Sequence, residues 1–274
     1  MLGETGQRAT KGQNRVTKFS VAITVFGALL HIAPSPLSAG DANYGQFDDS
    51  ATTSGPDQQD CEQQDRAYVA LLACSRLLKA PDLDAKKRVH IYALRGRASL
   101  VLFDFGEAIQ DFTEVLKSDP DNLTILAGRA EALSQHGSHG NAANDWAHIV
   151  SLKPGDVAAQ LQLGISHYKA GAFDQAAAAY EGAVKLDEKN PEAYIGLAKA
   201  YEKLNQREKA DASLVSALKI NPANSSALFV QGEIAEARGN NKQAIESYSL
   251  SLKANGMQIK PRQALQRLGV ETPP

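Results

Sequence analysis

The stretch from Pro191 to Asn224, PEAYIGLAKAYEKLNQREKADASLVSALKINPAN, is the clearest copy of a 34-residue unit that recurs through the chain. Within it, the small Ala198 precedes Ala210 by twelve positions, and the bulky Leu214 follows Ala210 by four. Side chains four positions apart lie on one face of a helix. Pro222 near the end of the stretch cannot continue a helix. The stretch therefore predicts two helices joined by a short turn and closed by a helix breaker.

The same slots recur at this period in five consecutive units. They are a small slot (Gly96, Ala130, Gly164, Ala198, Gly232), an alanine slot (Ala108, Ala142, Ala176, Ala210, Ala244), a bulky slot (Phe112, Trp146, Tyr180, Leu214, Tyr248) and an aliphatic slot (Leu116, Val150, Val184, Leu218, Leu252). Glycine and alanine allow two helix backbones to approach closely, and a bulky side chain one turn later fills the space beside that contact. A fixed period of this length predicts a stacked array of helix pairs.

This pattern resembles the tetratricopeptide repeat (TPR) and covers five units, 89–122, 123–156, 157–190, 191–224 and 225–258. The resemblance implies an all-α fold, a right-handed α-solenoid of antiparallel helix pairs, with the first helices lining a concave groove. Residues 259–274 are expected to supply a capping helix and a tail. Three residues depart from the family pattern, and local packing is expected to differ around them: Arg95 and Arg129 stand where leucine is usual, and Gln160 where an aromatic residue is.

The segment 1–39 is predicted to be a cleaved signal peptide. A cationic leader is followed by the apolar run 19–33 and then by small residues before Gly40. The run is shorter than the roughly 20 residues needed to cross a bilayer, so a retained membrane anchor is the less favoured alternative. Residues 40–56 are predicted to be a flexible acidic linker. We therefore expect an exported protein, periplasmic or secreted, with no membrane span after cleavage.

Residues 57–88 are predicted to form a divergent helical hairpin that contains Cys61 and Cys74, the only two cysteines. A cysteine, a helix and a second cysteine ahead of the repeats resemble exported TPR proteins of proteobacteria. In the repeat framework the two cysteines are expected to face each other across the hairpin. An oxidising compartment then favours a disulfide between them. Two buried free thiols are the alternative.

Composition and motifs restrict the function. The net charge of −2 offers no basic excess for nucleic acid. Phosphate-binding glycine loops, catalytic zinc motifs and nucleophile elbows are absent from the sequence, and we expect neither a cofactor nor a catalytic residue. The leading hypothesis is a scaffold that holds a protein or peptide partner, in envelope assembly or secretion. A metal-binding or hydrolase-like enzyme using His136 and His139 is one alternative, and a structural homo-oligomer is another.

Partner contacts are expected on the first helices, on the face opposite the small slot. The candidates are His90, Arg97, Glu131, Gln135, Leu161, Gln162, Ile165, Tyr168, Lys199, Lys203, Phe229 and Glu233. The third unit is the most apolar there, and Tyr168 with Leu161 and Ile165 is predicted to anchor an inserted peptide. Some of these residues are equally expected to support only neighbouring helices. A clamp for the acidic tails of heat-shock chaperones is not predicted, because Arg97 is the only cation in the corresponding slots.

Overall fold

The computed structural model describes residues 55–271, and all regular secondary structure in that range is helical. The α-helices are α1 (Pro56–Glu62), α2 (Ala67–Leu77), α3 (Ala85–Val101), α4 (Phe105–Ser118), α5 (Leu123–Gln135), α6 (His139–Leu152), α7 (Val157–Lys169), α8 (Phe173–Leu186), α9 (Pro191–Lys203), α10 (Arg207–Ile220), α11 (Ser225–Ala237), α12 (Asn241–Ala254) and α13 (Ile259–Arg267). The predicted signal peptide, the linker up to residue 54 and the last three residues of the tail lie outside the described range.

Each repeat unit contains one helix pair, from α3 with α4 to α11 with α12. Every helix packs against the next one in the chain, and α13 packs on α12. This is an α-solenoid of helix pairs with a helix at its C-terminal end, so the predicted fold class is confirmed. In each pair we refer below to the first helix and the second helix.

Helix starts and turns repeat with the same period. An Asn or Asp side chain accepts a backbone N–H bond at the start of each first helix from α5 to α11, which is the usual N-cap arrangement (Asn122, Asp156, Asn190, Asn224). The turn between the two helices contains one residue with positive φ, at a position that we call the turn slot (Phe103, Gly137, Gly171, Asn205, Gly239). The caps and the turn slot together set where each helix begins and ends.

The bulky slot joins successive units. The ring of Phe112 on α4 lies between Gly96 on α3 and Gly128 on α5, and a Cβ atom added at these glycines would approach the ring to 2.8 and 3.1 Å. Tyr180 on α8 lies in the same way between Gly164 and a glycine of α9, Gly196. Each of these second-helix rings therefore packs against the first helix of its own unit and that of the following unit.

We predict that Gly164→Ala destabilises the array, because the new Cβ would lie 2.7 Å from the Tyr180 ring. Overpacking costs about 1–3 kcal/mol, and it opposes a gain of about 1 kcal/mol in helix propensity. The matched control is Gly140→Ala, where no atom lies within 4 Å of the added Cβ. Urea unfolding should give a lower free energy of unfolding for Gly164→Ala and an equal or higher one for the control. Equal gains in both variants would contradict the packing argument.

Arg95 and Arg129 do not disturb the packing. Arg95 donates two hydrogen bonds, of 2.8 and 2.7 Å, to the carboxylate of Asp111. Arg129 makes the same pair of bonds, at the same distances, to Asp145 one unit later. Burial raises the pKa of the Asp111 carboxyl, and the adjacent guanidinium opposes that shift. In these two units a buried ion pair between the helices thus replaces the apolar contact that leucine makes.

The third unit has an apolar pair, Leu163 and Ala179, at the positions of these ion pairs. The same apolar pair can therefore be introduced in the first unit. Arg95→Leu alone leaves the Asp111 carboxylate, only 1% exposed, without its partner. We expect a loss of about 3 kcal/mol in unfolding free energy. The double variant with Asp111→Ala should recover most of that loss. A double variant as unstable as the single one would show that the ion pair is not exchangeable for apolar packing.

The N-terminal hairpin consists of α1 and α2 and starts at Pro56, one residue before the predicted boundary. Cys61 and Cys74 are joined by a disulfide in this structure. Cys74 stands one repeat period before Ala108, so it occupies the alanine slot of a degenerate unit. Both cysteines are buried in a cluster with Ile91 and Leu94 of α3. The hairpin therefore packs on the first complete unit in the same way as that unit packs on the following one.

Candidate partner-binding groove

One row of side chains runs along the first helices and across the end of the array. We call it the groove row; its members are Arg97, Glu131, Ile165, Lys199, Glu233 and Arg267, which follow one another at the repeat period. Glu131, Glu233 and Arg267 are exposed, and the other three are half-buried. A partner on this row would meet cationic and anionic side chains on either side of the apolar Ile165.

Contacts across the C-terminal half show that the row is continuous there. The ammonium of Lys199 lies 5.0 Å from the centre of the Tyr168 ring, within the range of a cation–π contact. Burial raises the pKa of Glu233, and the charges of Lys199 and Arg267 oppose that shift. The side chains of α7, α9, α11 and α13 therefore form a single surface.

Tyr168 is held in place before any partner arrives. Its ring packs edge-on against Phe173 at 5.4 Å, and Lys199 covers one face of the ring. Burial raises the pKa of the Tyr168 hydroxyl above its ordinary value. The side chain is half-buried, so it presents a rigid edge to the groove and not a free ring.

The apolar anchor predicted for the third unit is smaller than expected. Leu161 is only 5% exposed and belongs to the core between α7, α8 and α9. Gln162 lies in the slot of Gly128 and Gly196, which face the rings of the preceding second helices. Leu161 thus has little surface left for a partner, and Ile165 with Tyr168 provides the apolar part of the groove.

The remaining candidates lie in the first, second, fourth and fifth units. His90 on α3 is half-buried, and burial lowers its pKa. Gln135 and Lys203 are exposed at the ends of α5 and α9. Phe229 is half-buried and packs against Tyr248, with ring centres 5.5 Å apart.

A cavity of about 480 Å³ lies between α11, α12 and α13. Phe229, Glu233, Lys260 and Arg267 are among the residues that line it. The last two are on α13 and were not among the sequence candidates. Arg267 follows Glu233 by one repeat period, so the periodicity could have identified it. The capping helix therefore extends the groove as well as closing the core.

Glu131 differs from the carboxylates of α11 in the cations near it. Glu236 is paired with Arg267, and Lys199 acts to lower the pKa of Glu233. No ion pair or hydrogen bond within residues 55–271 involves the Glu131 carboxylate, and no cation acts to lower its pKa. Surrounding protein desolvates part of this side chain, which raises the pKa of Glu131. A carboxylate that is crowded by protein and lacks a cation gains free energy when a ligand supplies one.

The turn that contains His136 and His139 does not form a metal centre in the described part of the chain. No three His, Cys, Asp or Glu side chains between residues 55 and 271 come together as metal ligands. His148 bonds to Asp121 at 2.8 Å instead of joining His136 and His139. In the same range no helix is long and apolar enough to cross a membrane.

Comparison with known proteins identifies the repeats. Two tetratricopeptide-repeat family models match residues 94–157 and 167–228. A tetratricopeptide repeat and J domain-containing co-chaperone of Fusarium oxysporum is 32% identical over 114 residues. That segment is 42% of this chain but 22% of the fungal protein, so the chain spans about a fifth of this curated relative.

Two solved structures show the same fold. MamA residues 41-end of Desulfovibrio magneticus superimpose with a TM-score of 0.54 at 19% identity, covering 63% of this chain and 97% of that one. The TPR protein TTC0263 of Thermus thermophilus gives 0.52 at 18% identity, covering 66% and 98%. Matched family models, periodic slots and helix pairs agree. The chain is therefore a tetratricopeptide-repeat protein, a member of a family of protein-interaction scaffolds.

Proposed function

We propose that this protein is an exported scaffold whose groove holds an extended peptide segment of a partner protein, with a basic side chain of that segment opposite Glu131. The unpaired, partly desolvated Glu131 carboxylate carries this proposal. Ile165 is the next member of the row, and Tyr168 lies one turn further along the same helix. A fitting segment thus carries a Lys or Arg followed by an apolar side chain.

The cationic and anionic members of the row further restrict the partner. Lys199 and Glu233 interact with each other, so a ligand gains less from either than from Glu131. A segment made only of acidic residues would meet Glu131 and Glu233 unfavourably. This favours a partner of mixed charge, and it agrees with the lack of a cationic clamp in the first three units.

Selection from a random peptide phage library on the immobilised protein tests the proposal. We expect the selected peptides to contain a basic residue next to an apolar one. Glu131→Gln should weaken their binding by about 10- to 100-fold, because a charge-assisted hydrogen bond is worth about 1.5–3 kcal/mol. Glu208→Gln changes an exposed glutamate of a second helix, α10, and should leave binding unchanged. Peptides without a basic residue, or equal losses in both variants, would reject the proposal.

Binding of the selected peptides should also depend on pH. The pKa of Glu131 is raised above its ordinary value of 4.5, so the carboxylate takes up its proton at a higher pH than a free glutamate. The affinity for the peptides should therefore fall as the pH is lowered from neutral towards the raised pKa of Glu131. The Glu131→Gln variant should be flat over the same interval in fluorescence-anisotropy titrations. Identical pH profiles for the two proteins would assign the dependence to another group.

Export is supported by the leader and by the cysteines. The cationic leader and the apolar run 19–33 have the order of a secretory signal. Cys61 and Cys74 lie close enough to be bonded, and oxidising compartments preserve such bonds.

Alkylation of protein isolated from its host, without reducing agent, tests the disulfide and with it the compartment. We expect no alkylated cysteine before reduction and two after it, together with an N-terminus near residue 40. Reduction should lower the unfolding free energy by about 3 kcal/mol, because the bridge limits the conformations of the unfolded chain by closing a loop of about 14 residues. Two reactive thiols in freshly isolated protein, with the leader still attached, would place the protein in a reducing compartment.

A further inference from the structure

Exposed apolar side chains gather at one end of the N-terminal hairpin, where α2 begins and α3 ends. We call this surface the N-terminal apolar patch: Tyr68, Leu72, Val101, Leu102 and Phe103. Phe103 is 78% exposed and Tyr68 is 63% exposed. The two belong to different helix segments, so their closeness needs an argument from packing.

That argument comes from the antiparallel course of α2 and α3. Ser75 on α2 is within 3.4 Å of the guanidinium of Arg95 on α3. Tyr68 lies seven positions before Ser75, and Leu102 lies seven positions after Arg95. Two helical turns in opposite directions along antiparallel helices lead to neighbouring points. Tyr68 therefore faces Leu102, and Phe103 follows directly.

The other units show that the apolar residues are not required by the fold. The turn slot that Phe103 occupies contains Gly137, Gly171, Asn205 and Gly239 elsewhere. Its φ of 63° is in the left-handed region, which costs a bulky side chain about 1–2 kcal/mol and a glycine almost nothing. The positions equivalent to Leu72 are glycine or charged in every later unit (Gly106, Gly140, Asp174, Glu208, Lys242). The first unit thus bears strain at Phe103 that the four later units avoid, and the hairpin exposes an apolar side chain at Leu72 that all five units avoid.

The interior does not use Phe103 either. Its one aromatic neighbour within the described residues is Phe105, edge-on at 6.1 Å, and the ring is otherwise open to solvent. Together the patch side chains present on the order of 500 Å² of mostly apolar surface, which is at the upper end for a monomer. A surface of that size and composition is typical of an interaction site.

We propose that the N-terminal apolar patch joins two copies of this chain in an isologous dimer centred on Phe103. The charges around the patch favour a second copy as the occupant. Asp65 and Arg66 lie just before Tyr68, and Asp104 follows Phe103; all three are exposed. A rim that carries both positive and negative side chains is self-complementary, because a two-fold axis can bring Arg66 of one copy to a carboxylate of the other.

The size of the patch agrees with such an interface. A stable interface buries about 800 Å² on each partner, with an apolar centre and a polar rim. The patch supplies the centre, and the neighbouring charged residues supply much of the rest. The dimer would leave the groove row on α5 to α13 free, so it is independent of the peptide site proposed above.

Analytical ultracentrifugation of the protein isolated from its host, over a range of concentrations, tests the dimer. We expect Phe103→Gly to weaken self-association about tenfold or more, because it removes the central aromatic anchor of the interface. At a concentration where both proteins are monomeric, the same variant should have a Tm higher by about 2–4 °C, because the strained φ is relieved. Val215→Glu, at an exposed apolar position on α10, is the matched control and should leave association unchanged.

The opposite signs of the two readouts separate an interface from a folding defect. A wild-type chain that stays monomeric at all concentrations would overturn the proposal. So would equal effects of Phe103→Gly and Val215→Glu on association. Co-sedimentation with phosphatidylglycerol vesicles tests whether the patch binds a lipid surface instead. A monomeric chain that co-sediments with vesicles, and loses this with Phe103→Gly, would assign the patch to a lipid surface and reject the dimer.

Discussion

The array depends on one steric requirement, that a bulky side chain on the second helix must fit between two first helices. Phe112 meets Gly96 and Gly128 so closely that a methyl group on Gly96 would overlap the ring. Tyr180 imposes the same condition two units later. Because the ring touches its own unit and the following one, no unit completes its core alone. The distance between successive first helices, and with it the spacing of the groove row, follows from this contact.

The same requirement explains why the two ends differ from the middle. Tyr248 has no following unit, and α13 takes that place by packing Ala264 and Leu265 into the cluster around Tyr248. The salt bridge from Arg267 to Glu236 fixes α13 against the last first helix. At the other end, a shortened hairpin is closed by Cys61 and Cys74. Each end therefore combines a packing role with side chains that the regular units lack.

The fold and the proposed peptide site use different side chains of the same helices. The small slot is buried, the bulky slot is buried in all units but the second, where Trp146 is half-buried, and close packing sets the identity of both slots. The groove row is accessible, so Glu131, Ile165 and Lys199 can differ in charge without disturbing that packing. The paired Arg95 and Asp111 show a third case, in which a charged pair enters the core because both partners change together. Different units of one chain thus satisfy the same packing requirement with different combinations of side chains.

The periodic slots alone determined the helix pairs, their order and the all-α class, because close packing of identical units permits few residue types at each slot. They also located the face on which Arg97, Glu131, Lys199 and Glu233 lie. Only the tertiary structure decided what each position does. It placed Leu161 in the core, paired the unexpected arginines with aspartates and left Tyr68 and Phe103 exposed. Such outcomes depend on contacts between residues on different helices, and a sequence period carries no information about side chains that depart from it.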